Sequence, residues 1–246
     1  MTWVLDLDGV VWLADVPLPG AAEAVARLRA AGERVVFATN NSGPPLADQE
    51  AKLARLGIPA AGDVLSSATA AARLVEPGER VLVCGGPGVV EAMAARGAEP
   101  VRDGDADVVA VGFHRDFDYE RLRVAARAVR RGARLLGTND DATYPTPDGP
   151  IPGAGSLLAA VAYASGATPV VAGKPHRPMA DLVRAVGGPE GTVVGDRPDT
   201  DGVLAGQLGY RFALVLTGVT SRADLPVTPA PDVVAGSLAA LVPGGQ

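Results

Sequence analysis

The sequence predicts an α/β protein in which a doubly wound parallel sheet is interrupted by a second, inserted α/β domain. Short β-branched runs alternate with helical patterns rich in Ala, Leu and Arg along nearly all of the 246 residues, which is typical of βα units around a parallel sheet. Turn-forming residues gather on either side of one self-contained βα stretch, which indicates an insertion. Most predicted helices end at a glycine suited to a left-handed cap, namely Gly32, Gly57, Gly97, Gly132, Gly166 and Gly187.

The predicted strands are the short apolar runs, and the predicted helices are the Ala-, Leu- and Arg-rich stretches between them. From the N-terminus, we expect strands near 3–7, 34–39, 80–84, 107–112, 134–138, 169–172, 192–195 and 211–216. We expect helices near 20–31, 45–56, 67–75, 88–96, 118–131, 154–165, 178–187 and 200–208. The proline-rich tail after about residue 224 predicts one further short strand, at 232–234.

The boundaries of the inserted domain are predicted from two clusters of turn-forming residues. These clusters are 76–79 (Glu-Pro-Gly-Glu) and 166–169 (Gly-Ala-Thr-Pro), which we expect to act as hinges. The core domain would then consist of 1–78 together with 170–246, and the insertion would span 79–169.

Composition narrows the classes of function. The formal net charge of −6 argues against a nucleic-acid or membrane-surface partner and favours a small soluble substrate. No apolar run has the length of a membrane span, and the N-terminus lacks the pattern of an export signal. The only cysteine, Cys84, cannot form an internal disulfide, so we expect a cytoplasmic protein in which Cys84 is a small buried core residue.

The first predicted strand ends in the sequence Asp6-Leu-Asp8-Gly9. Side chains two positions apart on a strand leave on the same face, so both carboxylates could share one cation or one phosphoryl group. Two like charges so close repel each other unless a metal ion or a proton lies between them. Gly9 would let the backbone turn tightly and offer its N–H to a ligand.

Three further strands also run directly into polar residues. These segments are 35–42 (Val-Val-Phe-Ala-Thr-Asn-Asn-Ser), 170–175 (Val-Val-Ala-Gly-Lys-Pro) and 193–201 (Val-Val-Gly-Asp-Arg-Pro-Asp-Thr-Asp). Ligands bind at the carboxyl edge of open α/β sheets, where such strand ends converge. Asp6, Asp8 and Asp196 would supply the hard oxygen ligands that Mg²⁺ prefers, and Lys174 would supply a positive charge for phosphate.

The remaining polar residues complete a phosphoryl-transfer site. Thr39 and the backbone N–H groups of Asn40 and Asn41 could hold phosphate oxygens, and Asp201 could orient a water molecule on the metal ion. Taken alone, each segment has an ordinary explanation, because Thr-Asn-Asn-Ser is typical of a turn or a helix N-cap. The conjunction of four such strand ends favours an active site.

These motifs resemble those of the haloacid dehalogenase-like phosphatases. Within them, the chain is similar to the p-nitrophenylphosphatase-like group, which has a large cap inserted between the second and third motifs. The matches are Asp6 to Gly9 for Asp-x-Asp-Gly, Thr39 with Asn40 for the second motif, Lys174 in Gly-Lys-Pro for the third, and Asp196 with Asp201 for the fourth.

The resemblance implies a hydrolase with a covalent intermediate. Asp6 would attack phosphorus to form an aspartyl-phosphate, Asp8 would act as general acid and then general base, and Lys174 would complete the catalytic set. The implied ligands of Mg²⁺ are Asp6, Asp8, Asp196 and Asp201. The implied phosphate-binding residues are Gly9, Thr39, Asn40, Asn41 and Lys174.

The implied substrate is a small phosphorylated metabolite of the sugar phosphate, glycerol phosphate or phosphoglycolate type, which the cap would select while excluding water. Asn139, Asp140 and Tyr144 follow a predicted cap strand, and we expect them to contact the leaving group. His114 is a further candidate, and it stands where an acidic residue is expected in many relatives. An exposed apolar surface on the cap would favour a homodimer.

Two other functions stay open at this point. A phosphotransferase or mutase would use the same chemistry with a different acceptor. A non-catalytic nucleotide-binding protein is suggested by Gly85-Gly-Pro-Gly88, although this stretch lacks the third glycine of the dinucleotide fingerprint and the chain has no Gly-x-x-x-x-Gly-Lys-Ser/Thr loop.

Overall fold

The computed structural model describes residues 1–13, 16–146 and 148–244 of the chain. Contacts divide it into two compact units, the first made of Met1–Thr39, Ala47–Leu65 and Met179–Gln246, and the second of Asn40–Leu46 and Ser66–Pro178. The two predicted domains include five positions that lie outside the described residues, namely 14, 15, 147, 245 and 246. The inserted domain expected over 79–169 stays a prediction.

Strands and helices alternate along the chain. The strands are β1 (Thr2–Leu5), β2 (Trp12–Leu13), β3 (Val16–Pro17), β4 (Arg34–Thr39), β5 (Val64–Ser66), β6 (Arg80–Cys84), β7 (Glu99–Val101), β8 (Val108–Val111), β9 (Arg134–Gly137), β10 (Thr143–Tyr144), β11 (Ile151–Pro152), β12 (Val170–Val171), β13 (Gly191–Gly195), β14 (Arg211–Val215) and β15 (Val233–Ala235). The α-helices are α1 (Ala21–Ala30), α2 (Leu46–Arg55), α3 (Ser67–Ala72), α4 (Pro87–Ala95), α5 (Tyr119–Arg130), α6 (Ala154–Ser165), α7 (Arg177–Val186), α8 (Val203–Leu208) and α9 (Leu238–Leu241).

A six-stranded sheet with the order β15-β14-β13-β1-β4-β5 organises the first unit. The pairs from β15 to β4 are parallel, and β1 lies between β13 and β4, with Leu5 opposite both Val194 and Phe37. The chain continues from β1 to β4 on one side, whereas β13, β14 and β15 extend the sheet on the other. The carboxyl end of β1 is therefore a topological switch point, the place where open α/β sheets bind ligands.

The second unit contains a five-stranded sheet with the order β12-β9-β8-β6-β7, all of whose pairs are parallel. Leu82, Val109 and Leu135 from its central strands pack with Val129 of α5 and Leu158 of α6 in one buried cluster. Each sheet buries nearly continuous apolar strands, as expected for parallel sheets. The predicted α/β fold with parallel sheets is confirmed.

Most predicted elements are present, and the differences have local causes. The sequence prediction missed β7, whose Pro100 lacks an N–H and is tolerated because β7 is an edge strand. It also missed the two-residue hairpin strands and β5, which are too short to show a periodicity. The helix predicted from 200 begins as a π-helical turn over Pro198–Gly202, and α8 follows from Val203.

The predicted left-handed caps are confirmed at Gly32, Gly57, Gly97, Gly132 and Gly166, which all have positive φ angles. The prediction is wrong for Gly187, whose φ angle is not in that region. A Cβ atom at Gly187 would lie 3.0 Å from the hydroxyl oxygen of Tyr210 and 3.0 Å from the carbonyl oxygen of Val183. This glycine is therefore required by a close approach and not by its backbone angles.

Cys84 is buried at the end of β6, as predicted. Burial raises the pKa of its thiol to about 11, because the thiolate would be desolvated there. Among the described residues, no helix combines the length and apolar character needed to cross a membrane.

Candidate active site

Three carboxylates meet at the carboxyl edge of the six-stranded sheet. Asp6 follows β1, Asp196 follows β13, and Asp201 belongs to the π-helical turn after β13. One oxygen atom from each can be chosen so that all three lie within 4.8 Å of one another. Asp201 is fully buried, Asp196 is 3% exposed and Asp6 is half-buried.

The backbone around Asp196 leaves space for its side chain and fixes its direction. Gly9 has a φ angle of 80°, and a Cβ atom there would lie 2.6 Å from Cγ of Asp196. A Cβ atom at Gly218 would overlap the same carboxylate. The backbone N–H of Val219 donates to Oδ2 of Asp196 at 2.5 Å, and Thr217 Oγ1 donates to the carbonyl oxygen of Gly9 at 2.5 Å.

Asp201 is held by the π-helical turn. Its backbone N–H donates to the carbonyl oxygen of Arg197 at 2.8 Å, and its Oδ2 accepts a hydrogen bond from the Arg197 N–H at 3.2 Å. A Cβ atom at Gly195 would overlap the Asp201 carboxylate. The wide turn and the adjacent glycine together direct a fully buried carboxylate toward the other two.

This donor set suits a divalent cation. Two buried carboxylates and a half-buried one within 4.8 Å of one another repel unless positive charge lies between them. Hard carboxylate oxygens are the ligands that Mg²⁺ prefers, and it usually keeps several waters in addition. Asp6, Asp196 and Asp201 could therefore hold one Mg²⁺ ion.

Asp8 contacts the indole of Trp12. Its Oδ1 accepts a hydrogen bond from the indole Nε1–H of Trp12 at 3.1 Å. A carboxylate that is oriented by a neighbouring donor is suited to proton transfer. The role of Asp8 as a metal ligand stays a prediction.

Lys174 is held in the second unit by the side chain of Asn40. Oδ1 of Asn40 accepts from the Lys174 backbone N–H at 2.7 Å, and its Nδ2 donates to the Lys174 carbonyl oxygen at 3.0 Å. Nδ2 of Asn40 also donates to Oδ2 of Asp141 at 3.0 Å. The Lys174 side chain is buried, at 2% exposed, so its ammonium group must be compensated by neighbouring groups.

Asn139 and Asp140, predicted to contact the leaving group, make other contacts in the second unit. Nδ2 of the buried Asn139 donates to the carbonyl oxygen of Asn40 at 2.6 Å. Oδ2 of Asp140 lies 2.8 Å from Nε2 of His176, a residue that the sequence prediction leaves without a role. Contact of either residue with a leaving group stays a prediction.

Tyr144 and His114 lie close to aromatic rings. Tyr144 stacks on Phe113 with ring centroids 4.7 Å apart, and its hydroxyl oxygen accepts from Asn41 Nδ2 at 3.3 Å. His114 makes an edge contact with Phe117, and its Nδ1 lies 3.1 Å from the carbonyl oxygen of Gly112. Roles in choosing a substrate stay predictions for both residues.

Comparison with known proteins identifies the family. A model described as haloacid dehalogenase-like hydrolase matches residues 3–99, and a model described as HAD-hydrolase-like matches residues 171–241. The structure of a p-nitrophenyl phosphatase from Archaeoglobus fulgidus is similar with a TM-score of 0.90 and 32% identity, covering 98% of this chain and 97% of that one. This chain belongs to the haloacid dehalogenase-like hydrolases. The resemblance read from the motifs is confirmed.

This hydrolase also matches a sequence and a solved structure from Mycobacterium tuberculosis. A D-glycerol 3-phosphate phosphatase is 38% identical over 229 residues, which are 90% of this chain. The chain spans 64% of that protein's length. The structure of a glycerol phosphate phosphatase in complex with magnesium has a TM-score of 0.90 and 36% identity, covering 98% of this chain and 76% of that one.

The glycine-rich turn of the hydrolase has a packing explanation. A Cβ atom at Gly86 would lie 2.6 Å from the carbonyl oxygen of Gly43. A Cβ atom at Gly88 would overlap the carbonyl oxygen of Pro44. The Gly88 N–H donates to the Gly43 carbonyl oxygen at 2.9 Å. These glycines let two backbone segments of the second unit touch, so they lend no support to a nucleotide site.

Sequence reasoning missed four residues that contact or support the predicted site residues. The indole N–H of Trp12 donates to Asp8, a contact that no motif predicts. Asp141 and Val219 belong to no sequence motif. Folding brings Asp141 to the side chain of Asn40 and the Val219 N–H to the carboxylate of Asp196. Lys52 had a usable signal, because it is one of only two lysines among 22 basic residues.

Proposed function

We propose that this hydrolase is a Mg²⁺-dependent phosphomonoesterase that acts on a small phosphorylated metabolite through an aspartyl-phosphate. The observation that carries the proposal is the cluster of Asp6, Asp196 and Asp201 at the switch point of the sheet. Such a cluster is costly to fold without a cation, whereas it serves phosphoryl transfer directly.

The relatives support the chemical class of the substrate. The mycobacterial sequence and structure are both named for glycerol phosphates, and the structure is a complex with magnesium. We therefore favour a phosphate ester of an aliphatic alcohol, of the glycerol phosphate or sugar phosphate type, over an activated aryl ester.

In the proposed first step, an oxygen atom of Asp6 attacks phosphorus in line and forms the aspartyl-phosphate as the bond to the alcohol oxygen breaks. Asp8 gives its proton to the departing alkoxide. In the second step Asp8 takes a proton from water, and that water attacks phosphorus, which frees Asp6 and inorganic phosphate. Mg²⁺, when bound by Asp6, Asp196 and Asp201, would offset the negative charge of the phosphoryl oxygens.

The phosphoryl group would be bound by backbone and side-chain donors that the family motifs assign. We propose Gly9, Thr39, Asn40, Asn41 and Lys174 for this task. For Asn40, the side chain already bonds both main-chain groups of Lys174. Its contribution to phosphate binding would therefore come from its backbone N–H, while its amide side chain positions the lysine.

We infer that residues 79–169 form the inserted cap that selects the substrate. Tyr144 supports this inference, because its stacked ring and its bond to Asn41 present a rigid aromatic face. His114, Asn139 and Asp140 are proposed as further determinants of substrate choice. A homodimer formed through the cap stays a proposal as well.

The test is the rate of phosphate release from glycerol 3-phosphate, sugar phosphates, phosphoglycolate and p-nitrophenyl phosphate, with Mg²⁺ and with a chelator. We expect hydrolysis of at least one aliphatic ester that stops when the metal is removed. Asp6→Asn removes the nucleophile with little change of volume, and we expect kcat to fall at least ~10³-fold.

Either of two results would contradict the proposal. One is metal-independent hydrolysis, and the other is unchanged kcat in Asp6→Asn. Release of a phosphorylated second substrate in place of free phosphate would instead identify a phosphotransferase that uses the same carboxylates.

A further inference from the structure

Trp12 connects the general acid proposed above to a half-buried positive charge. The Trp12 side chain is 4% exposed, and its Nε1–H donates to Oδ1 of Asp8 at 3.1 Å. On the indole ring lies the ammonium group of Lys52, with Nζ 3.8 Å from the ring centroid. All three residues belong to the first compact unit.

The backbone fixes Trp12 relative to Asp8. The N–H groups of Val11 and Trp12 both donate to the carbonyl oxygen of Leu7, at 2.9 Å and 3.1 Å. The Gly9 N–H donates to the carbonyl oxygen of Trp12 at 2.6 Å, so the loop closes on itself around Asp8. A tight loop of this kind leaves the indole N–H little freedom to point elsewhere.

Lys52 comes from a separate element, helix α2, and its side chain is half-buried. A cation over the face of an indole ring is attracted by the ring's electron density and draws that density toward itself. The N–H at the ring edge then becomes a stronger hydrogen-bond donor, because hydrogen-bonded groups polarise one another. Lys52 can therefore act on Asp8 through the indole ring.

We propose that Trp12 is a positioning residue for Asp8, and that Lys52 strengthens its effect through the indole ring. With Oδ1 engaged as an acceptor, the transferable proton is placed on Oδ2, and the carboxyl group is held in one orientation. This inference rests on the role proposed for Asp8 as general acid.

The leaving group distinguishes positioning of an acid from a merely structural role. An aliphatic alkoxide is strongly basic and needs a proton as it departs, whereas p-nitrophenolate is a weak base and leaves without one. A misdirected Asp8 should therefore slow the hydrolysis of glycerol 3-phosphate far more than that of p-nitrophenyl phosphate. A general structural disturbance should slow both reactions alike.

The main experiment is kcat/KM of Trp12→Phe on these two substrates in Mg²⁺. Phenylalanine keeps an aromatic ring beneath Lys52 but loses the N–H donor together with the volume of the second indole ring. We expect a ~10- to 100-fold loss on glycerol 3-phosphate, with kcat carrying the loss and KM little changed, and less than a ~3-fold loss on p-nitrophenyl phosphate. The matched control is Trp3→Phe on β1, because Nε1 of Trp3 has no hydrogen-bond partner in the described part of the chain.

Lys52 gives a second test that does not disturb the buried ring. Lys52→Met keeps the aliphatic stem and removes the charge, so we expect a ~3- to 10-fold loss confined to glycerol 3-phosphate. Lys52→Arg should restore the rate, because a guanidinium also binds aromatic faces. In the Trp12→Phe background, Lys52→Met should cause no further loss of kcat/KM on glycerol 3-phosphate, because the effect of Lys52 is transmitted through the indole N–H that this background lacks.

Asp8→Asn distinguishes a failure of the general-acid role proposed for Asp8 from a failure of the positioning role proposed for Trp12. If Asp8→Asn still hydrolyses glycerol 3-phosphate, the acid is another group and the positioning role falls with it. If Asp8→Asn is inactive while Trp12→Phe and Lys52→Met slow both substrates equally or neither, the phosphatase proposal stands and the positioning role is overturned.

Discussion

At the scale of single residues, the site depends on where side chains are absent as much as on where they are present. Asp196 is 3% exposed and reaches the carboxylate cluster across Gly9 and Gly218, whose missing Cβ atoms leave the space it occupies. Gly9 also adopts a left-handed conformation that other residues enter at a cost. This glycine therefore has a conformational role and a packing role, and the two can be separated by mutation.

Gly9→Ala should reduce activity as well as stability, because the new Cβ atom would lie 2.6 Å from Cγ of Asp196. The matched control is Gly32→Ala, since Gly32 has a φ angle of 76° but nothing within 4 Å of a Cβ atom. We expect both variants to lose about 1 kcal/mol in urea denaturation from backbone strain, and only Gly9→Ala to lose most of its kcat and Mg²⁺ affinity. Equal kcat values in the two variants would show that Gly9 acts through its backbone alone.

Some residues of the site could be predicted from the sequence, and others could not. Asp6, Asp196 and Lys174 lie at or just after the ends of predicted strands, and the convergence of parallel strand ends is a general rule. Trp12 was identifiable as buried, but the direction of its indole N–H depends on the loop that joins Leu7 to it. Such directions are set by tertiary structure, so no spacing in the sequence encodes them.

At the scale of elements, the sites are assembled from the ends of strands and the turns that follow them. Asp6, Asp196 and Asp201 follow two neighbouring strands, β1 and β13. Their approach depends on the register of this pair and on a π-helical turn that widens the backbone after β13. In the second unit, a single amide side chain, that of Asn40, plays the equivalent part for Lys174.

Asn40→Ala should remove the hydrogen bonds that fix the backbone of Lys174. The variant removes two hydrogen bonds to the Lys174 main chain and one to Asp141, all of them partly buried. We expect a loss of about 2–4 kcal/mol in the free energy of unfolding and a lower kcat, measured by urea denaturation and phosphate release. A stability change below about 0.5 kcal/mol would contradict the positioning role of this amide.

Element prediction succeeded where a run was long and apolar, as for β4, β6 and β13. It missed six strands of two or three residues, which have no period to detect, namely β2, β3, β5, β7, β10 and β11. The short strand expected at 232–234 is present as β15, and its pairing with β14 is what adds the tail to the sheet. Whether such a segment pairs is decided by the neighbouring strand, which a local pattern does not contain.

At the scale of the whole molecule, the chain combines two parallel sheets, and the alternation of βα units predicted this architecture. The order of the strands could not be predicted from the pattern alone, because parallel strands need not be neighbours in sequence. It is this order that places β1 between β13 and β4 and so creates the switch point. The central claim is that the three carboxylates at this point share one divalent cation.

Calorimetric titration of the full chain with Mg²⁺ tests this claim most directly, because it measures binding without depending on turnover. We expect one ion per chain, and an affinity that falls at least ~10-fold in Asp196→Asn and Asp201→Asn, each of which replaces a buried carboxylate with a neutral side chain of similar size. Unchanged Mg²⁺ affinity in both variants would contradict the shared site.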